Sequence, residues 1–299
     1  MASAAGWAAT AVGAALVLFA LRDIVHTLWH PSSRGGLSRR LMHAVWRAGH
    51  RARHRSRLAF LGGPLTMGAV VLAWVLLLVA GWTLVYWPHL PHGFVYGSGL
   101  DVDGRGQLID AVYLSIVTLG TLGFGDIVPE SSWLRIAVPV QALIGFVLLT
   151  AAVTWVLQVY PALSRRRALA LRLALLQRTG PSVPDPGLLR EVAGDLVHVR
   201  VDLTQHAETY YFGDVDPETA LPRQLPVALR LADAARCSPD DDVRTGGEYL
   251  ALVLRDLTGV LDRQFLRRGG AVGDLVTAYA DDHGYPPDDA GGRRSDASS

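Results

Sequence analysis

The chain has 299 residues, half of them hydrophobic, with a formal net charge of +1 and a mean hydropathy of +0.25. That length allows one large or two modest domains, and the near-zero charge leaves no bulk electrostatic footprint for nucleic acid. All 28 basic residues are arginine, and the single cysteine, Cys237, excludes an intrachain disulfide or a cysteine-built metal cage.

The first apolar run extends from Trp7 to about Trp29, and its uninterrupted part stops at Leu21. No positive charge precedes Trp7 and no cleavage-like site follows, so a membrane helix is expected over residues 1–30 rather than a leader. Asp23, His26 and His30 fall at i, i+3 and i+7 near its end, a spacing that could form a metal face. The favoured alternative places them at headgroup level, with Asp23 paired to His26 and Arg22 reaching the interface.

Residues 31–64 form a basic loop with eight arginines from Arg34 to Arg57 and no acid. The positive-inside rule puts this loop in the cytoplasm and the N-terminus outside. Leu37, Leu41, Val45 and Ala48, with Met42 and Trp46 beside them, predict an amphipathic helix on the inner leaflet, its arginines on anionic headgroups. His43, His50 and His54 are expected to be solvated. A nucleic-acid role is not expected so close to two spans.

Leu65 to Trp87 is a run of 23 residues without a charge, about 34 Å of helix at 1.5 Å per residue. Pro88 to about Gln107 then lies outside, where Asp101, Asp103 and Asp110 oppose Arg105; His89 and His92 there could sense pH, although loop histidines usually do not. The stretch from Gln107 to Val128 is too short to span. Asp110 to Leu119 predicts a half-helix with Tyr113, Ile116 and Val117 on one face, followed by "TLGFGD". The flanking spans both meet this loop on the outer side, so it must dip in and return. Non-helical backbone at membrane depth requires protein or a water-filled pathway around it. A stack of inward-pointing carbonyls can replace the hydration shell of a dehydrated cation. Such a stack needs backbone conformations of alternating sign, and Gly123 and Gly125 reach positive φ cheaply. Thr121 adds a hydroxyl, while Leu122 and Phe124 would point outward against surrounding helices.

The third run, Leu134 to Tyr160, is interrupted only by Gln141, Thr150, Thr154 and Gln158. Proline at 161 is expected to end the helix, and Arg165, Arg166 and Arg167 repeat the cytoplasmic charge bias. Residues 161–285 then read as a helical cytoplasmic domain. Val192, Leu196, Val199 and Leu203 mark one helix, and Leu250, Val253, Leu257, Val260 and Leu261 another. Pro222 and Pro226 read as loops and helix starts. Residues 286–299 have the composition of a disordered tail. No nucleophile elbow, P-loop, zinc-protease helix or dinucleotide fingerprint occurs, so an enzyme is not expected.

Thr118 to Asp126 resembles the potassium-channel signature, whose core is Thr-Val-Gly-Tyr-Gly-Asp. The order of span, half-helix, loop and span over residues 65–160 resembles the two-helix pore module of that family. The resemblance implies an all-α membrane protein with three transmembrane helices and a re-entrant pore helix. It implies that Thr121, Leu122, Gly123, Phe124 and Gly125 form a selectivity filter, with Asp126 at its outer mouth. Gly145 would be a hinge or a packing glycine in the inner helix. Phe146, Leu149 or Thr150, Val153 or Thr154, and Leu157 would face a cavity and gate. The chain departs from the family at Val117, where many relatives carry a buried carboxylate coupled to the outer aspartate. It departs again at Tyr113 and Leu114, where many carry paired tryptophans. One pore loop cannot close a ring, so a homotetramer is expected, with K+ as the permeant ion and no other cofactor. The rival readings are a weakly selective cation channel and a membrane sensor or scaffold with a vestigial pore. The lack of an arginine-repeat span argues against a voltage sensor. The ligand or partner of the cytoplasmic domain is not legible.

Overall fold

The computed structural model describes residues 4–29, 36–52, 62–97, 106–179, 185–214 and 216–285. His30, the arginines from Arg53 to Arg57, His54, Asp101, Asp103, Arg105 and the tail at 286–299 lie outside them. The described architecture is all-α apart from one two-stranded ribbon. It divides into two compact units, Met1–Arg51 with Pro64–Gln158, and Ala52–Gly63 with Val159–Ser299.

Unit 1 contains α1 (Ala4–Trp29), α2 (Leu37–Ala52), most of α3 (Gly62–Tyr86), α4 (Gln107–Leu119) and the first half of α5 (Leu134–Thr179). Helices α1, α3 and α5 are each long and apolar enough to cross a membrane. Helices in lipid associate by close packing rather than by a hydrophobic drive, and small residues permit the approach. Gly13 on α1 and Gly81 on α3 do this. A β-carbon on Gly13 would stand 2.5 Å from the Gly81 carbonyl oxygen. The first helix is thereby packed directly on α3.

The opposite end of α1 is tied by Asp23, which is buried. Its carboxylate accepts hydrogen bonds from the Leu37 and Ser38 backbone N–H groups at 2.8 and 3.3 Å, from the Ser38 hydroxyl at 2.5 Å, and from the Trp74 indole at 2.9 Å. The first N–H groups of a helix have no partner within it, so Asp23 caps α2 from another helix. Four donors offset the desolvation of the buried charge. The sequence predicts an amphipathic α2 with Leu37, Leu41, Val45 and Ala48, and Met42 and Trp46 beside them, on its apolar face. The structure buries Met42 and Trp46 together with Ser38, one turn apart, leaves Leu37, Leu41 and Val45 half-buried, and exposes Arg40 and Arg47.

A correction concerns α5. The sequence predicts an end at Pro161, but the helix runs on to Thr179, 46 residues in all, or about 69 Å. Proline removes one hydrogen bond and kinks a helix without necessarily ending it. Here the next turns are anchored in unit 2, where Ala162, Leu163, Leu169, Ala170 and Leu173 are buried.

In unit 2, α6 (Pro186–Gln205), α7 (Leu221–Arg236), α8 (Asp241–Leu261) and α9 (Val272–Asp282) join the end of α5. The predicted stripes are all buried: Val192, Leu196, Val199 and Leu203 on α6, and Leu250, Val253, Leu257, Val260 and Leu261 on α8, which packs against α6. Pro222 lies in the first turn of α7 as expected, but Pro226 is inside that helix rather than at a start. The basic triplet is not a free charge cluster. Arg165 forms a two-pronged pair with Asp202 at 2.9 and 2.6 Å. Arg166, 2% exposed, donates to the Thr209 and Phe212 carbonyls and to Asp214, which also pairs with Arg167 at 2.6 Å. These arginines hold α5 to its own unit, a role that a count of charges cannot show. Cys237 is free and exposed.

Candidate functional site

The segment from Gly106 to Pro129 lies between α3 and α5. Asp110 is in the first turn of α4, where a negative charge complements the helix dipole, and it accepts from Tyr96 at 3.2 Å. The buried positions of α4 are Ala111, Leu114, Ser115, Val117, Thr118 and Leu119. The expected face of Tyr113, Ile116 and Val117 is therefore split: Val117 is buried and Ile116 is exposed. Ser115 is turned toward α3 and α5 instead, where it meets the Val79 carbonyl and the Gln141 amide.

The end of α4 is capped by the loop that follows. The Thr121 N–H donates to the Thr118 carbonyl at 3.0 Å, and the Leu122 N–H to the Val117 carbonyl at 2.9 Å. From there the backbone alternates. Thr121 has φ +56°, Gly123 +57° and Gly125 +76°. Positive φ at Gly123 and Gly125 is the conformation expected of them. At Thr121 it was not expected, because a β-branched residue there is strained by about 1–2 kcal/mol. Every second residue from 121 to 125 thus has the opposite backbone sign. Thr121, Leu122, Gly123, Phe124 and Gly125 are all exposed in the single chain, with Leu122 59% and Phe124 65% accessible. Within one chain neither side chain wedges against a helix.

The far end of the loop is held on three sides. The ribbon pairs β1 (Phe94–Tyr96) with β2 (Ile127–Pro129), antiparallel, and the Gly97 N–H donates to the Asp126 carbonyl at 2.7 Å. The Asp126 carboxylate accepts from the Tyr113 hydroxyl at 2.5 Å and from the Ile127 N–H at 3.1 Å. With Val117 in place of a carboxylate, the sequence predicts that Asp126 lacks a partner on the half-helix. That is corrected here: Tyr113, one turn earlier, supplies the link.

Behind α4 lies a second network that sequence reasoning missed. Gln141 on α5 is fully buried. Its amide donates to the Ser115 carbonyl at 2.9 Å and the Ser115 hydroxyl at 3.1 Å, and it accepts from the Tyr86 hydroxyl at 2.7 Å. Ser115 in turn donates to the Val79 carbonyl at 3.1 Å. Three helices are joined through one side chain. The signal was present in the sequence as a lone glutamine in a long apolar run, since polar groups in such segments face protein partners.

Gly145 is one turn beyond Gln141 on the same face. A β-carbon there would stand 1.9 Å from the Leu119 carbonyl oxygen, so Gly145 admits the end of α4 against α5 and is a packing glycine. Phe146, Val153 and Leu157 are exposed on a different face of α5. Thr150 and Thr154 are exposed as well, their hydroxyls donating to the Phe146 and Thr150 carbonyls at 2.9 Å each. Asp23 is occupied as described, and His30 is outside the described residues. Among the described residues no cluster of three or more His, Cys, Asp or Glu could hold a metal.

Residues 69–160 match the family model described as an ion channel. The uncharacterized membrane protein YdjJ of Bacillus subtilis is 24% identical over 158 residues, covering 52% of this chain and 45% of that protein, so the chain spans about half the length of this curated relative. No solved structure matches the chain. The family match, the membrane-protein relative and the three apolar helices support a multi-pass membrane protein whose residues 69–160 are similar to an ion channel.

Proposed function

We propose that this chain forms a potassium-selective channel in which four copies surround one pore. The observation that carries the reading is the alternation of positive φ at Thr121, Gly123 and Gly125, directly after a half-helix and between two apolar spans. That backbone can aim successive carbonyls to one side, which is what coordination of a dehydrated cation requires. Residues 121–125 act as the filter and Asp126 holds its outer mouth. The exposed faces of Leu122, Phe124, Phe146, Val153 and Leu157 support a site completed by further copies, since one loop supplies one side of a ring. Phe146, Thr150, Val153, Thr154 and Leu157 line the cavity and inner gate. The membrane is the cell membrane, with the N-terminus outside and residues 161–285 inside, and the exposed Arg40 and Arg47 of α2 meet anionic headgroups of the inner leaflet.

Purified protein in liposomes tests this reading. Potassium flux under a potassium gradient is expected, with sodium flux at least tenfold lower. Equal fluxes favour a weakly selective cation channel, and no flux of either ion refutes the pore. A cysteine at position 98 is expected to react with an impermeant reagent from outside the cell, and one at position 56 not to. Labelling of position 56 from outside refutes the orientation.

A further inference from the structure

Unit 2 contains a cavity of about 1050 Å³ that the pore reading does not use. The end of α5 forms one wall with Ala174 and Arg178, α7 forms another with Arg223, Val227 and Arg230, and Ala280 on α9 and Tyr285 close a third. The charges around it are unequally engaged. Arg178 is paired with Glu218 at 2.6 Å, and Asp216 accepts from the Glu218 N–H at 2.9 Å. Both carboxylates of the wall therefore already have donors. The guanidinium groups of Arg223 and Arg230 have no hydrogen-bonded or ion-paired partner among the described residues.

These two arginines are seven residues apart on α7. They stand on one face, two turns or about 10.5 Å along the axis. Val227, one turn from Arg223, gives the wall between them an apolar centre, faced by Ala174 and Ala280. The volume is just above the range of sites that hold small organic ligands, about 300–1000 Å³, in which a few placed polar groups orient the ligand. It is far larger than an inorganic ion needs. Guanidinium groups match phosphate oxygens with paired N–H donors, and two of them at this spacing suit an extended anion better than a single carboxylate.

We propose that this cavity binds a phosphorylated small molecule of nucleotide size. Arg223 and Arg230 hold the phosphates, and the body of the ligand lies against Val227, Ala174 and Ala280 beside the Tyr285 ring. Such a ligand bridges α5, α7 and α9, and the α5 residues of the site belong to the same helix as Phe146 and Leu157. Binding does not require ion conduction, so its failure and a failure of the channel reading are separate outcomes.

The test is calorimetric titration of the full chain in lipid nanodiscs with ATP, pyrophosphate and adenosine as probes. ATP is expected to bind at one site per chain, with pyrophosphate and adenosine each at least tenfold weaker. Arg223→Gln and Arg230→Gln are each expected to weaken ATP about tenfold, the range of one charge-assisted hydrogen bond, and the double variant to bind no ATP measurably. Arg190→Gln, an exposed arginine on α6 outside the cavity, is expected to bind as the parent does. Arg223 and Arg230 are exposed, so their substitution leaves the packing of unit 2 intact, and an unchanged melting temperature of each variant verifies this. No binding of ATP to the parent overturns the proposal. So does binding that survives the double substitution, or that Arg190→Gln reduces equally.

Discussion

Gly145→Ala separates two roles for one glycine. A hinge would tolerate a methyl group sterically and change gating. The structure assigns a contact instead, because the added β-carbon would stand 1.9 Å from the Leu119 carbonyl oxygen and 2.8 Å from its carbon. Side-chain carbons essentially never approach closer than 3.0 Å, so α4 and α5 must separate by about 1 Å at this level, in a packed interior that yields little. Overpacking of this kind costs about 1–3 kcal/mol per chain. The obstructed atom is a backbone carbonyl at the last residue of α4, so no rotamer change relieves it. Thr121 follows two residues later, and functional groups must be held to about 0.5 Å. The variant is therefore expected to melt at lower temperature and to lose potassium-over-sodium selectivity in liposome flux. A variant that keeps its melting temperature and selectivity and changes only open probability refutes the packing argument and restores the hinge.

Gln141→Leu removes the amide that joins Tyr86 and Ser115 and leaves buried polar groups without partners, which costs about 1–3 kcal/mol. Its melting temperature is expected to fall, with Gln141→Glu recovering part of the loss, and an unchanged melting temperature of Gln141→Leu refutes the network. Gly123→Ala meets nothing within 4 Å, so its effect is conformational alone, about 1–2 kcal/mol per chain at φ +57°. Loss of selective flux without loss of assembly is expected, and unchanged selectivity refutes the filter assignment. His206 stands 3.4 Å from Glu208, whose hydrogen bond raises its pKa above 6.5. The folded state binds this proton more tightly than the unfolded one, so the pair's stabilisation is full below about pH 6.5 and is lost as pH rises through the folded value. The destabilisation caused by His206→Gln, about 1 kcal/mol or less, is expected to be larger at pH 6 than at pH 8.5. A difference that grows with pH refutes the sign.

Several features were legible in the sequence because they depend on local patterns. Apolar runs of membrane length mark α1, α3 and α5, since lipid demands uninterrupted apolar surface. The stripes of α6 and α8 were readable for the same reason: helical periodicity places every fourth or third residue on one face. The glycines at 123 and 125 announced positive φ, because only glycine reaches it at little cost. Partners distant in the chain were not legible. Nothing local in Asp23 says that it caps a helix beginning at Leu37, or that the Trp74 indole is its fourth donor. Tyr113 took over a link that Val117 cannot make, a substitution visible only once Asp126 is brought beside it. Pro161 has the local signature of a helix end, yet buried contacts and the pairs of Arg165, Arg166 and Arg167 with Asp202 and Asp214 carry α5 past it. The sequence alone determined which segments are apolar, which are helical and where the backbone can reverse sign. Tertiary structure decided which face each helix presents and which polar groups meet. Those choices depend on close packing and hydrogen-bond satisfaction between segments far apart in the chain, as with Tyr86 and Gln141, 55 residues apart, and no local window contains both partners.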